Sequence, residues 1–291
     1  MSKSALERAE ASVIVPAYNE EKVIGETLRT MLDGAELGEL EVIVACNGCQ
    51  DRTAEIARSF GPNVKVVETP EASKAVALNL GDAAATRFPR FYADADLLIT
   101  IGSLRRVAAT LRTGRVMAAA PTARVDMATA SLLVRAFYAV WTKVPYFDDG
   151  LSGVYGLTRE GRGRFGVFPR IISDDGFVDL QFSSEEREKV AGAEFVVRPP
   201  VTLAALMRML VRIRAGSHEL QTKYPELAAR RDARVGETLS RTLRDPRLWH
   251  AVPLYAVLTA LANWKGRRMV EAGAPTSWQP EASSRRRGPR K

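Results

Sequence analysis

Apolar runs of strand length alternate with helix-spaced segments over roughly the first hundred residues, and no other feature restricts the fold as much. Ser12 to Val15 is β-branched and apolar and stops at Pro16. Glu20 to Leu32 has helical spacing at Val23, Leu28 and Met31. Leu40 to Ala45 is a second apolar run, and Asp51 is placed to cap a helix reaching about Phe60. Val64 to Val67 is a third run, an alanine-rich helix covers Glu71 to Ala85, and Arg90 to Ala93 leads into Asp94 as a fourth strand. The alternation predicts an α/β fold: a mainly parallel sheet flanked by helices, with a helical extension toward the C-terminus. Such sheets bind ligands beyond the carboxyl ends of their strands. The polar clusters Tyr18-Asn19-Glu20, Asn47-Gly48 and Asp94-Ala95-Asp96 all fall at those ends.

Of these, Asp94-Ala95-Asp96 carries the clearest chemistry. Side chains alternate along an extended backbone, so both carboxylates leave it on the same side. Two carboxylates aimed together repel unless a cation lies between them. Hard oxygen donors suit Mn2+ or Mg2+, which retain waters and accept phosphate oxygens. A metal held there by Asp94 and Asp96 can neutralise a leaving diphosphate. The competing reading is a solvated turn that caps a helix near Ile101 to Leu111.

Four stretches then resemble glycosyltransferase family 2, the inverting enzymes of GT-A fold. Val13 to Glu21 (VIVPAYNEE) is similar to the opening motif, and Cys46 to Thr53 (CNGCQDRT) to the loop after the second strand. Lys74 to Gly81 (KAVALNLG) is similar to the helix before the metal motif, and Asp94-Ala95-Asp96 to that motif itself. The resemblance implies a nucleoside diphosphate-sugar donor, held by Pro16, Ala17, Tyr18, Glu20, Asn47, Lys74, Asn79 and Asp94. It implies single-displacement transfer to an acceptor hydroxyl on a glycan, a lipid or a small molecule. Bacterial cell-envelope glycan or glycolipid synthesis is the setting it suggests. The family carries acids where Cys46 and Asn47 stand. Asn47 still offers one donor and one acceptor to a base edge, and a UDP-sugar is the favoured donor.

Beyond residue 100, Gly150 to Leu157 (GLSGVYGL) resembles the family's small-residue loop at the acceptor site, which implicates Ser152 and Gly153. Ser173-Asp174-Asp175-Gly176 resembles its acidic dyad, with Asp175 as catalytic base and Asp174 beside it. A helix N-cap with acids complementing the dipole is the competing reading. Helical spacing from Leu203 to Arg214 carries Arg208, Arg212 and Arg214. The family's basic residues for the diphosphate carry over to Arg212 and Arg214, against a plain solvated face. Further helices are expected at Ala128 to Trp141, Glu237 to Leu243 and Leu248 to Met269, and a strand at Val154 to Thr158. The expected division is a catalytic domain over 1–200, helices over 201–272 and a flexible basic tail over 273–291.

Charge sharpens the reading of that tail. The net charge is +8, and Arg285, Arg286, Arg287, Arg290 and Lys291 supply five of the eight excess charges with no acid among them. The tail reads first as a solvated disordered arm and second as attraction to an anionic membrane surface; no aromatic-interleaved basic face accompanies it, so nucleic acid is not an expected partner. The apolar stretch near Leu248 either lies in a membrane interface or packs on the domain. The start is charged and has no apolar run, and the expected location is the cytoplasm, peripheral to the inner face of the plasma membrane. Cys46 and Cys49 form a C-x-x-C that suits neither a redox pair nor a zinc site in this context. A nucleotidyltransferase would need a glycine-rich basic loop after the first strand, where Pro16 to Glu21 is acidic and has no glycine. The remaining alternative is a non-catalytic donor-binding or membrane-associated scaffold protein of the same fold.

Overall fold

A computed structural model describes residues 10–143, 150–229 and 244–273. Its chain divides into two compact units.

The first unit holds an eight-stranded sheet. Strands β1 (Ala11–Ala17), β2 (Leu40–Asn47), β3 (Val64–Thr69) and β4 (Arg90–Ala93) run parallel in the order β3-β2-β1-β4. The remaining strands are β5 (Leu98–Ile99), β6 (Ala118–Val125), β7 (Val154–Leu157) and β8 (Arg187–Val197). They continue the sheet from β4 in the order β7-β6-β8-β5, with β4 and β7, β7 and β6, and β5 and β8 antiparallel. Its helices are α1 (Ile24–Leu32), α2 (Thr53–Arg58), α3 (Lys74–Ala84) and α4 (Ile101–Arg112). Every residue of β1 is buried, as expected of a parallel strand covered on both faces.

Strand alternation sorts the core. Val13, Val15, Val42, Val44, Phe91 and Ala93 belong to one buried cluster with Ile24, Leu28 and Met31 of α1 and Leu104, Val107 and Leu111 of α4. The opposite parity includes Tyr92, whose hydroxyl donates to Asp82 of α3 at 2.5 Å. Asp82 also takes Arg90 at 2.8 Å and Arg162 at 2.9 Å. Arg162 lies in the short helix α6 (Arg159–Arg162). Burial pushes the Asp82 carboxyl up, but hydrogen bonds from Tyr92, Arg162 and Arg90 outweigh it and hold the carboxyl below its ordinary value.

The second unit gathers α5 (Leu132–Trp141), α7 (Asp174–Asp179), α8 (Leu203–Lys223), α9 (Pro225–Ala228) and α10 (Val252–Glu271). Its composition differs from the division expected at residue 200, because Val125–Gly150 and Ile171–Leu180 join the C-terminal helices. The physical reason is burial: Val134, Phe137 and Tyr138 of α5 pack with Leu206 and Leu210 of α8 and with Leu258 and Ala262 of α10. Among the described residues, no helix is long and apolar enough to cross a membrane. The helix expected at Glu237 to Leu243 and the tail from residue 274 lie outside the described residues.

Removing the shared acceptor Asp82 strands two arginines and a tyrosine, so Asp82→Ala is expected to cost about 3–5 kcal/mol in urea unfolding. A carboxyl held below its unfolded value stabilises the fold above that value, and the contribution is lost as pH falls through the folded one. Acid unfolding of Asp82→Asn should therefore show a shallower loss of stability below pH ~4 than the parent chain.

Candidate functional site

The loops that leave β1 and β2 are laced together. Asn19 adopts a left-handed backbone with φ 53°, a conformation asparagine tolerates. Its side-chain oxygen accepts the Gln50 N–H at 2.8 Å. Across the same seam the Glu20 N–H donates to Thr53 Oγ1 at 2.7 Å and the Glu21 N–H to Asp51 Oδ2 at 3.1 Å. Asp51 also accepts the Thr53 N–H at 3.0 Å, but the N-cap of α2 is Arg52, without a side-chain capping bond, and not Asp51 as the sequence suggested. Pro16, Ala17 and Glu20 are buried, while Tyr18 is half-buried.

Asn47 ends β2 as a buried amide. Its Nδ2 donates to the Ala17 carbonyl at 2.9 Å, and its Oδ1 is buried with no partner among the described residues. The Cys49 thiol donates to the same carbonyl at 3.3 Å. A hydrogen bond between the two cysteines pushes buried Cys46 up and draws Cys49 below the ordinary thiol range. Both cysteines are free.

Asp94 is fixed twice at the end of β4. Its N–H donates to the Gly153 carbonyl at 3.0 Å, and its Oδ1 meets Lys74 Nζ at 2.7 Å. Lys74 opens α3, whose N-cap is Ser73, with the Ser73 Oγ accepting the Val76 N–H at 3.4 Å. Gly153 has φ +67°, and a Cβ there would lie 2.8 Å from Leu97 Cδ1, so only glycine presents that carbonyl without strain. Ser152 beside it is half-buried. Asp94 and Asp96 are both half-buried, and neither caps α4: β5 intervenes, and Thr100 accepts the Ser103 N–H at 3.3 Å. The capping part of the alternative therefore fails, but its turn is present: Ala95 and Asp96 lie in a turn closed by the Leu97 N–H on the Asp94 carbonyl at 3.4 Å, not on the extended backbone the sequence suggested. Among the described residues no group of three or more histidine, cysteine or acidic side chains converges on one point. A metal at Asp94 and Asp96 would thus complete its coordination with water and ligand oxygens, as Mg2+ and Mn2+ do.

Asn79 has a different occupation. Its Nδ2 donates to the Phe168 carbonyl at 3.0 Å and its Oδ1 accepts the Phe168 N–H at 2.7 Å. The amide is a backbone clamp within the first unit, with both hydrogen-bonding ends engaged.

In the second unit, Asp174 and Asp175 open α7. Asp174 is 5% exposed, and Asp175 is half-buried with its Oδ1 accepting the Gly176 N–H at 2.7 Å. The Ser173 side chain makes no capping bond. Arg212 and Arg214 are half-buried on α8. They point to different sides of it, because two residues turn a helix by roughly 200°. Arg208, Arg212, Gly216 and Glu219 instead share one face at i, i+4, i+8 and i+11. A Cβ on Gly216 would lie 3.1 Å from Ser173 Cβ, and Glu219 Oε2 accepts the Ile172 N–H at 2.8 Å.

The family model described as Glycosyl transferase family 2 matches residues 12–168, more than half of the chain. The chain belongs to glycosyl transferase family 2. The matched span holds both laced loops, α3, Asp94, Asp96, Ser152 and Gly153. Two solved structures share the fold of this family 2 chain. One is the mannosyltransferase of Pyrobaculum calidifontis, in complex with GDP-Man and Mn2+. It is 21% identical, covers 94% of this chain and 77% of its own, and has a TM-score of 0.57. The other is the glucosyl-3-phosphoglycerate synthase of Mycobacterium tuberculosis, in complex with Mn2+, UDP and glucosyl-3-phosphoglycerate. It is 21% identical over 78% of this chain and 84% of its own, with a TM-score of 0.56. An uncharacterised protein of Methanocaldococcus jannaschii is 41% identical over 56 residues, 19% of this chain and 22% of that protein.

Glu219 is the residue that sequence reasoning missed. It is 4% exposed, and its second oxygen meets Lys223 Nζ at 2.7 Å. The signal was available in its spacing from Arg208 and Arg212, which were read only as a basic pair. In the family 2 chain it ties α8 to the segment that leads into Asp174 and Asp175. Glu219→Ala leaves the Ile172 N–H unsatisfied. It should cost about 1–3 kcal/mol and speed amide exchange at Ile172, whereas Glu219→Gln keeps an acceptor and should be milder in both measurements.

Proposed function

We propose that this chain is an inverting glycosyltransferase that moves a sugar from a nucleoside diphosphate-sugar to an acceptor hydroxyl, assisted by Mn2+ or Mg2+. The observation that carries the reading is the double fixation of Asp94, by the Gly153 carbonyl and by Lys74, beside Asp96 at the end of β4. Two aspartates and one lysine sum to a single negative charge. A divalent ion turns that into a single positive one, which suits a diphosphate. When bound, such an ion offsets the charge that develops on the leaving diphosphate. The two similar structures hold Mn2+ with GDP-Man, a nucleoside diphosphate-sugar, and with UDP, the diphosphate that a UDP-sugar leaves behind, which lends support.

The chain's own residues take the remaining roles. Lys74 holds Asp94 in place and offers a cation to the phosphates. Pro16, Ala17 and Tyr18 form the backbone edge of the donor site, and Gly153 carries Asp94 through its carbonyl. Buried Asn47 Oδ1 is an acceptor awaiting a donor, and an N–H on the edge of a nucleobase provides one. This favours a uracil ring, whose imide presents one N–H. Asp175 takes the proton of the acceptor hydroxyl as that oxygen attacks. It is a carboxylate separate from the metal pair, whose charge is committed to the cation. Asp174, buried next to it, orients the turn. Arg212 rather than Arg214 is the basic side chain for this reaction, since it shares the α8 face of Gly216 and Glu219. Envelope glycan or glycolipid synthesis is the setting that fits an acceptor hydroxyl of this class.

Thermal shift with UDP-glucose, GDP-mannose and a dTDP-sugar, each with Mn2+, tests the donor. A true donor at 100 times its Kd should add about 2.7 kcal/mol. Asp96→Asn should abolish that gain without shifting the unliganded midpoint; an undiminished gain removes the metal pair from the mechanism.

Turnover tests the base. Asp175→Asn should bind the donor as the parent does yet transfer its sugar ~10²–10⁴-fold more slowly, with Asp174→Asn milder. If Asp148→Asn or Asp149→Asn shows that profile instead, the base lies outside the described residues. A chain that binds donor but never transfers or hydrolyses it would be the scaffold alternative.

A further inference from the structure

Helix α10 is apolar on two sides, and among the described residues only one of them is covered. Leu258, Ala262 and Gly266, at i, i+4 and i+8, are its buried residues. Gly266 seats against α8 so closely that a Cβ would lie 2.7 Å from the Ala215 backbone nitrogen. Packing therefore accounts for this side. On the far side, Val257 is 56% exposed, Leu261 43% and Trp264 52%, at i, i+4 and i+7. Pro253, Ala256 and Ala260 fall on the same arc and are exposed too. A helix that served packing alone would turn polar side chains outward here. Of the nine exposed large apolar side chains among the described residues, seven belong to the second unit, and three of those lie on this side of α10.

Charge at one end of the stripe identifies what it meets. From Val252 to Val270 the helix has no acidic residue, but it carries Lys265, Arg267 and Arg268, all exposed. Arg268 lies over the Trp264 ring, 4.4 Å from its centroid. The first acid, Glu271, is bonded to Arg267 at 2.8 Å. An indole and a guanidinium stacked at the end of an apolar stripe match the boundary between acyl chains and headgroups, where a ring sits in the apolar layer and a cation reaches phosphate. The sequence beyond adds Arg285, Arg286, Arg287, Arg290 and Lys291.

We propose that the outer side of α10 is a docking surface for an anionic lipid bilayer, with Val257, Leu261 and Trp264 entering the interface and Lys265 and Arg268 on the headgroups. From Pro253 to Trp264 the stripe is roughly 17 Å long, enough to lie in the plane of the interface as three turns of helix. The surface is independent of the donor chemistry, since none of its residues belongs to the candidate site.

Flotation of the full chain with vesicles of phosphatidylcholine alone, or with a third of phosphatidylglycerol, tests it. The chain should float with the anionic vesicles and not the neutral ones, and less so as salt rises. Val257→Ser/Leu261→Ser/Trp264→Ser should weaken binding at least about tenfold. Lys265→Ala/Arg268→Ala should weaken it by about tenfold. Because these side chains are exposed, the thermal midpoint should stay that of the parent. Equal flotation with neutral vesicles, no flotation at all, or unaltered binding of the triple variant would overturn the proposal; the last would leave the basic tail as sole anchor. Analytical ultracentrifugation of the parent and triple variant closes the other exit. A dimer that the triple variant converts to monomer assigns the surface to a second copy of the chain and also overturns the proposal.

Discussion

Helix α3 is fastened to β4 at both ends by charged contacts, and the first unit is arranged around that fastening. At its start Lys74 meets Asp94 at the carboxyl end of β4. At its finish Asp82 binds Arg90 at the opposite end of the strand, together with Tyr92 and Arg162. The two contacts differ in kind. Asp82 and its arginines are mostly buried, so each partner depends on the others to offset its lost hydration. Lys74 and Asp94 are more open, at 18% and 39% side-chain exposure, and such a pair stabilises the fold little. Its consequence is positional: one half of a carboxylate pair is oriented before any ligand arrives. A rigid anchor below and a weak, exchangeable contact above give a carboxylate that is placed but still available.

The neighbouring strands solve the same problem with neutral groups. Asn19, Glu20 and Glu21 take their partners from Gln50, Thr53 and Asp51, so the loops after β1 and β2 share one hydrogen-bonded seam. Asn47 and Cys49 both donate to the Ala17 carbonyl beneath it. The residues that depart from the family pattern are therefore built into the floor of the site. Replacing acids by Asn47 and Cys46 removes negative charge from a buried position where it would be costly to hold. It leaves a neutral acceptor, Asn47 Oδ1, buried in that floor.

Much of this was legible because period and strand-end placement are local properties. The first four strands were readable to within two residues at either end, and the helix of Lys74 lost its first three expected residues, displaced to a Ser73 cap, and its last, Ala85. What was not legible depends on pairs far apart in sequence. Nothing near Asp82 announces Arg162, eighty residues on. Asn79 looked like a ligand group because it sits in a family motif, yet its amide is taken by the Phe168 backbone. The division into units failed to show for the same reason: α5 and the Asp174 segment are short stretches whose partners, α8 and α10, come much later in the chain. Glu219 shows the intermediate case, where helical spacing was visible but the Ile172 N–H that gives the spacing meaning was not.

For α10, sequence alone left interface and packing as equal readings, and the helix shows why. Periodicity detects contrast between a polar and an apolar face. Leu258, Ala262 and Gly266 on one side and Val257, Leu261 and Trp264 on the other flatten that contrast, so the segment reads as evenly apolar. An evenly apolar helix is expected to be wholly buried or to span a bilayer. This one is half-exposed and is not apolar enough to span. Among the described residues, packing against α8 accounts for one of those two apolar sides.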